Sequence, residues 1–129
     1  MGQQQLLLIV LGVIIVGIAV VVGINLFNAN AETSTQDSIV SQGTNIGAMA
    51  QQYYKKPTSM NGGGQSFTGF DTKVWANLPA NLITSTDASW ADPDVTDQVI
   101  TFTATPIDGG YTWTVETVVT PLEITSSVQ

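Results

Sequence analysis

Residues 6–24 read LLLIVLGVIIVGIAVVVGI, nineteen positions without a charged or strongly polar side chain. At 1.5 Å per residue a helix of this length spans roughly 28 Å, close to the ~30 Å hydrocarbon core of a bilayer. A chain of 129 residues has too small a core to bury such a helix on every side. Its many β-branched residues favour a strand locally. Length and the lack of alternation predict a helix instead. Gly12, Gly17 and Gly23 interrupt the run. Each weakens a helix in water by up to ~1 kcal/mol, yet small residues let helices approach closely in apolar surroundings. Their spacing is not GxxxG, so simple pairwise dimerisation is not the specific expectation.

The flanks sharpen this reading. Ahead of the run stands MGQQQ, short, polar and uncharged. A secretory signal peptide calls for a positive segment first and a small-residue cleavage site after the apolar run. No Lys or Arg precedes Leu6, and the nearest weak cleavage candidate is Ala29-Asn30-Ala31. Behind the run, Ile39, Gly43, Ile46, Met49 or Ala50, and Tyr53 recur at intervals of three and four. That spacing predicts one apolar stripe on an otherwise polar helix. Lys55 and Lys56 suit the last turn of a helix, and Pro57 stops it. The expectation is one helix of about 50 residues, roughly 75–80 Å long, with Asn28-Ala29-Asn30 as the place for any break. Three regions follow: 1–24, an apolar helix half; 25–56, an amphipathic half; and 57–129, a β-sheet head with long loops.

Residues 58–71 (TSMNGGGQSFTGFD) predict a loop, with Phe67 and Phe70 pinning it to a core. Residues 73–78 predict a short strand or helical turn with Val74, Trp75 and Leu78 inward, and residues 82–84 a brief strand. Residues 87–97 (DASWADPDVTD) predict an acidic loop. Residues 98–105 (QVITFTAT) and 111–120 (YTWTVETVVT) alternate with period two and predict a hairpin joined through residues 106–110. A further strand is expected at residues 122–125, beyond Pro121. The fold class is therefore α+β, a long N-terminal helix packed on a small antiparallel sheet. The stripe from Ile39 to Tyr53 is the expected cover for one face.

Composition narrows the function. Ten acidic residues face three lysines and no arginine, a net charge of −7. That charge argues against nucleic acid, whose phosphates demand clustered cations. It argues equally against a basic patch on anionic lipid. With no cysteine, the chain has no disulfide, thiolate nucleophile or thiolate metal site. With no histidine, it lacks the commonest general base and transition-metal ligand. Asp87, Asp92, Asp94 and Asp97 could offer oxygens to calcium, but the spacing lacks an EF-hand's glycine and distal glutamate, and a solvated acidic loop is the simpler expectation. Glu116 and Glu123 sit where surface carboxylates are expected on strands, so no acid/base pair is assigned. Tyr53, Tyr54, Phe67, Trp75, Trp90, Phe102 and Trp113 are assigned to packing. No catalytic residue, cofactor site or metal site is expected.

An apolar N-terminal helix continuing into an amphipathic one, followed by an antiparallel sheet, resembles a type IV pilin or pseudopilin. The residues carrying the resemblance are Gly2, Gln5 and positions 6–24, then the helix to Lys56 and the hairpin over residues 98–120. The resemblance implies a structural subunit of an extracellular, pilus-like filament on the cell surface and no enzyme. It implies self-assembly into a homopolymer, residence in the inner membrane beforehand, and delivery by pilus assembly machinery. In that scheme the filament core comprises Leu6, Leu7, Leu8, Ile9, Val10, Leu11, Val13, Ile14, Ile15, Val16, Ile18, Val20, Val21, Val22 and Ile24, with Gly17 and Gly23 as points where the helix could unwind. Burying such a helix at about 25 cal/mol per Å² gives tens of kcal/mol gross, before association costs. Met1 and Gln5 would set the N-terminal register. The family usually has a glutamate at the fifth mature position, where this chain carries Gln5 if Met1 comes first. A glutamine can hydrogen-bond a neighbour's amine without neutralising it. The basic leader, a helix proline and a C-terminal cysteine pair are also absent. The alternative is a membrane-anchored minor pseudopilin or binding domain of a secretion or DNA-uptake machine.

Overall fold

The computed structural model describes residues 2–107 and 110–129. The fold is α+β: a long N-terminal helix followed by a small antiparallel sheet of five strands. Helix α1 runs Gly2–Lys55 without interruption. No break occurs at Asn28-Ala29-Asn30. The Ala29 carbonyl serves as acceptor for the Thr33 hydroxyl at 3.0 Å, a bond that sits within a continuing helix. The chain divides into two compact units, residues 1–34 and residues 35–129.

In the second unit the sheet comprises β1 (Ala88–Trp90), β2 (Asp94–Val95), β3 (Ile100–Pro106), β4 (Val115–Val119) and β5 (Ile124–Val128). Their order is β1-β3-β4-β5, with β2 also paired to β3, and every pairing is antiparallel. Register follows the alternation. Ile100, Phe102 and Ala104 on β3 and Val115, Thr117 and Val119 on β4 face inward and are buried. Across the β3–β4 pairing Phe102 stands opposite Thr117 and Ala104 opposite Val115.

The C-terminal part of α1 covers this face. Ile39, Gly43, Ile46, Gly47, Ala50, Tyr53 and Tyr54 are its buried residues, so the stripe expected from spacing is present and gains Gly47 and Tyr54. The two glycines permit close approach. A Cβ on Gly43 would overlap the Thr117 hydroxyl and stand 3.0 Å from the Trp90 ring. A Cβ on Gly47 would meet Val119 at 3.0 Å and Ile124 at 3.1 Å. Polar contacts flank the seam. The Ser38 hydroxyl donates to Asp87 at 2.6 Å, and the Gln51 amide donates to the Thr120 carbonyl at 3.1 Å. Gln42 Oε1 accepts from Ser85 at 3.1 Å and from the Trp90 indole at 3.4 Å. Thr117, the buried polar side chain opposite Gly43, shares a 3.0 Å hydrogen bond with Ser126. Among the described residues no buried side-chain polar atom lacks a partner, as a native interior requires.

Several local expectations are corrected. Residues 58–71 are not all loop, because Thr58–Met60 forms a 3₁₀ turn and Phe70 opens helix α2 (Phe70–Lys73). Of the two alternatives at residues 73–78 the helical one holds, as the 3₁₀ turn Trp75–Asn77 with Trp75 buried. Residues 82–84 do not form a strand. Pro79, at φ −59°, leads into helix α3 (Ala80–Ile83), and only Thr84 is extended, bridging to Ser89. The acidic loop contains β1 and β2. Ala88 and Trp90 point inward with Ser89 outward, a period-two pattern too short to stand out in sequence. β3 starts at Ile100 because residues 96–99 close a turn, Thr96 and Val99 being joined by three hydrogen bonds. β4 is confined to Val115–Val119. The last strand starts at Ile124 because Thr120 and Glu123 close a tight turn, leaving Leu122 96% exposed at its tip. Asp108 and Gly109 of the expected hairpin turn lie outside the described residues.

Candidate assembly surface

The candidate surface belongs to the first unit. Its apolar side chains from Leu6 to Ile24 are 49–69% exposed. Among the described residues no atom lies within 4 Å of where a Cβ would stand on Gly12, Gly17 or Gly23. The helix is long and apolar enough to cross a membrane. Gln5 is exposed one turn inside the helix start. Met1, the other residue expected to set the register, lies outside the described residues. Leu26 and Phe27 extend the exposed apolar surface past Asn25, Phe27 being 74% exposed. In water this area would be strongly unfavourable, since patches beyond a few hundred Å² mark interaction sites.

The head presents a different chemistry. Tyr53, Tyr54, Phe67, Phe70, Trp75, Trp90 and Phe102 belong to one buried cluster. Tyr53 meets Phe70 edge-on at 5.6 Å, Phe70 meets Phe102 at 5.9 Å, and Trp75 meets Phe102 at 5.5 Å. Tyr54 packs on Phe67 at 4.9 Å and donates its hydroxyl to Gln98 at 3.1 Å. Burial, and after it the Asp71 carboxylate, pushes the Tyr53 phenol above its ordinary range. Trp113, half-buried, stacks on Tyr111 at 5.2 Å.

Three of the four aspartates considered for calcium are engaged separately, and Asp94 pairs through its backbone with Thr101 in the sheet. Asp87 accepts from Ser38, and Asp92 from the Trp75 indole at 3.1 Å. Hydrogen bonds from Ser66 and Gln98 hold the Asp97 carboxyl below the ordinary carboxylate range. Among the described residues no three acidic side chains gather as a metal site. Glu116 is paired across the sheet with Ser127, whereas Glu123 lies in the turn before β5 and accepts from Thr125.

One device was not visible in the sequence. Residues 61–64, Asn-Gly-Gly-Gly, fold back over the end of α1 and cap it with backbone amides. Gly63 N–H donates to the Tyr53 carbonyl at 2.8 Å, Gly64 N–H to Lys56 at 2.9 Å, and Gln65 N–H to Tyr54 at 2.8 Å. Helix ends leave such carbonyls without partners. Glycine is required for the fit: a Cβ on Gly62 would strike the Lys56 backbone, and one on Gly63 the Ser66 carbonyl. The run of three glycines was the available signal, but a flexible loop has the same composition. No protein-family profile, no curated protein and no solved structure matches this chain.

Proposed function

We propose that the chain is the structural subunit of a pilus-like extracellular filament, held in a membrane before assembly and packed through its apolar N-terminal helix afterwards. The observation that carries this reading is the all-round exposure of the uncharged stretch over residues 6–24. Lipid can satisfy that surface, and so can neighbouring copies of the same helix. The unbroken passage of α1 into the head supports the filament over a simple tether, because an anchor more often hands over to a flexible linker. The three glycines give the interior of such a bundle room for close helix contact.

The test is to express the full chain in a host with pilus assembly machinery and collect the material sheared from the cells. Regular fibres in negative stain are the expected result, together with loss of fibres and a soluble monomer when residues 1–24 are removed. Full-length protein that fractionates only with membranes and never sediments as fibres would reject the filament and leave the membrane-anchored binding module. For Gln5, if Met1 is the mature start, replacement by leucine should lower fibre yield by leaving the Met1 amine without a polar partner. Unchanged yield would assign that amine another partner.

A further inference from the structure

The chain carries three cations, Lys55, Lys56 and Lys73, against ten carboxylates. Two of the three, Lys56 and Lys73, line one open recess of about 300 Å³ in the head. They arrive from different elements, Lys56 just past the end of α1 and Lys73 from the end of α2. The remaining wall combines the Gln52 and Asn61 amides with Tyr53 and the apolar side chains of Met49 and Val74.

Backbone hydrogen bonds fix the main chain at both lysines. Lys56 N–H donates to Gln52 and Tyr53, and its carbonyl accepts from Gly64 at 2.9 Å. Gly62 lies so close beneath the Lys56 stem that a Cβ would collide with it. Lys73 N–H donates to Gly69 at 2.9 Å, and its Cδ and Cε pass within 3.8 and 3.7 Å of where a Gly69 Cβ would stand. Asn61, the residue between the 3₁₀ turn and the glycines, is held at φ 64°, a left-handed conformation that asparagine tolerates. Two lysines and two amide side chains, all of which can donate hydrogen bonds, therefore line one open recess of small-ligand size.

We propose that this cavity binds a small, doubly charged oxyanion, either a phosphate monoester or a dicarboxylate. A net charge of −7 repels anions from the molecule as a whole, so retention of one depends on local convergence of cations. Asp71, on the same helix as Lys73 and near enough to the Tyr53 hydroxyl to act on it, is the opposing charge. This inference does not depend on the filament reading.

The experiment uses the full chain in neutral detergent micelles, titrated with inorganic phosphate, with succinate and, as control, with chloride. Amide NMR shifts and calorimetry provide the readouts. Saturable shifts confined to Lys56, Asn61, Lys73 and their neighbours are expected with phosphate or succinate, and whichever binds tighter identifies the ligand class. Lys56→Gln and Lys73→Gln should each weaken binding about tenfold or more, as loss of a charged hydrogen bond does. Asp71→Asn should tighten it several-fold. Lys55→Gln is the decisive control, since Lys55 carries the same charge but is not on the cavity wall. Equal weakening by Lys55→Gln would mean general charge attraction and overturn the proposal. Linear, non-saturating shifts, an adventitious ion only, would overturn it too. An unchanged thermal midpoint in each variant separates lost binding from lost folding.

Discussion

Helix α1 uses glycine in two opposite ways. Gly12, Gly17 and Gly23 face open space. Gly43 and Gly47 face Thr117, Trp90, Val119 and Ile124 at distances that leave no room for a side chain. The sequence around the two sets is opposite as well, apolar and featureless in the first, polar with a narrow stripe in the second. The C-terminal glycines have their complement inside the molecule. The N-terminal ones have no described atom within 4 Å of where a Cβ would stand. A glycine in a helix thus has no fixed meaning, and what stands opposite it decides whether it is a seam or an unfilled contact.

The comparison is most severely tested by a charge in the exposed half. Ile15→Asp should cost about 2.5–3.5 kcal/mol in membrane insertion and abolish fibres, while leaving the head's thermal midpoint unchanged. A head that melts earlier in this variant would show that the two halves are not separable. Gly43→Leu should do the reverse. Overpacking against Thr117 and Trp90 should destabilise the head by roughly 3 kcal/mol, seen as a lower midpoint in denaturant. Gly17→Leu, the matched change in the other half, should leave head stability as it is and add up to ~1 kcal/mol of helix propensity. If copies assemble, a fall in fibre yield in that variant would measure how tightly they pack at that glycine.

Two smaller effects sharpen the head side. Gly63→Ala should cost about 2 kcal/mol, because the new methyl strikes the Ser66 carbonyl and comes 2.8 Å from the Tyr53 ring. Asp97 gives the smallest effect. Its carboxyl is held below the ordinary range by Ser66 and Gln98, so the charged form is favoured by folding. The associated stability is present above the unfolded carboxylate pKa and is lost as pH falls through the lower, folded value. Asp97→Asn should therefore lower the thermal midpoint slightly at neutral pH, and the gap to the parent should close in strong acid. A gap that persists at low pH would assign the effect to something other than the carboxylate charge.

How much of this was legible depends on the range of each interaction. The helix could be read because the spacing of Ile39, Gly43, Ile46 and Ala50 is set by the helix itself. The β3–β4 hairpin could be read because five alternating residues in each strand report which face is buried. β1 and β2 could not, being three and two residues long and defined by the free edge of β3 rather than by their own pattern. Residues 82–84 misled for a related reason. Leu82 and Ile83 look like a strand, while Pro79 commits the chain to a helical turn. The glycine cap and the lysine cavity depend on where residues 61–64 return to α1, a placement that no local periodicity encodes.

The tight turn at residues 120–123 has a practical consequence. Leu122 projects almost wholly into solvent, while the ends of the turn are tied together by Thr120 and Glu123. Foreign sequence is tolerated best at such exposed tips. A short epitope spliced in at Leu122 would leave β4 and β5 in register and make the subunit a display scaffold. If copies assemble, that scaffold would repeat the inserted peptide once per subunit along the polymer.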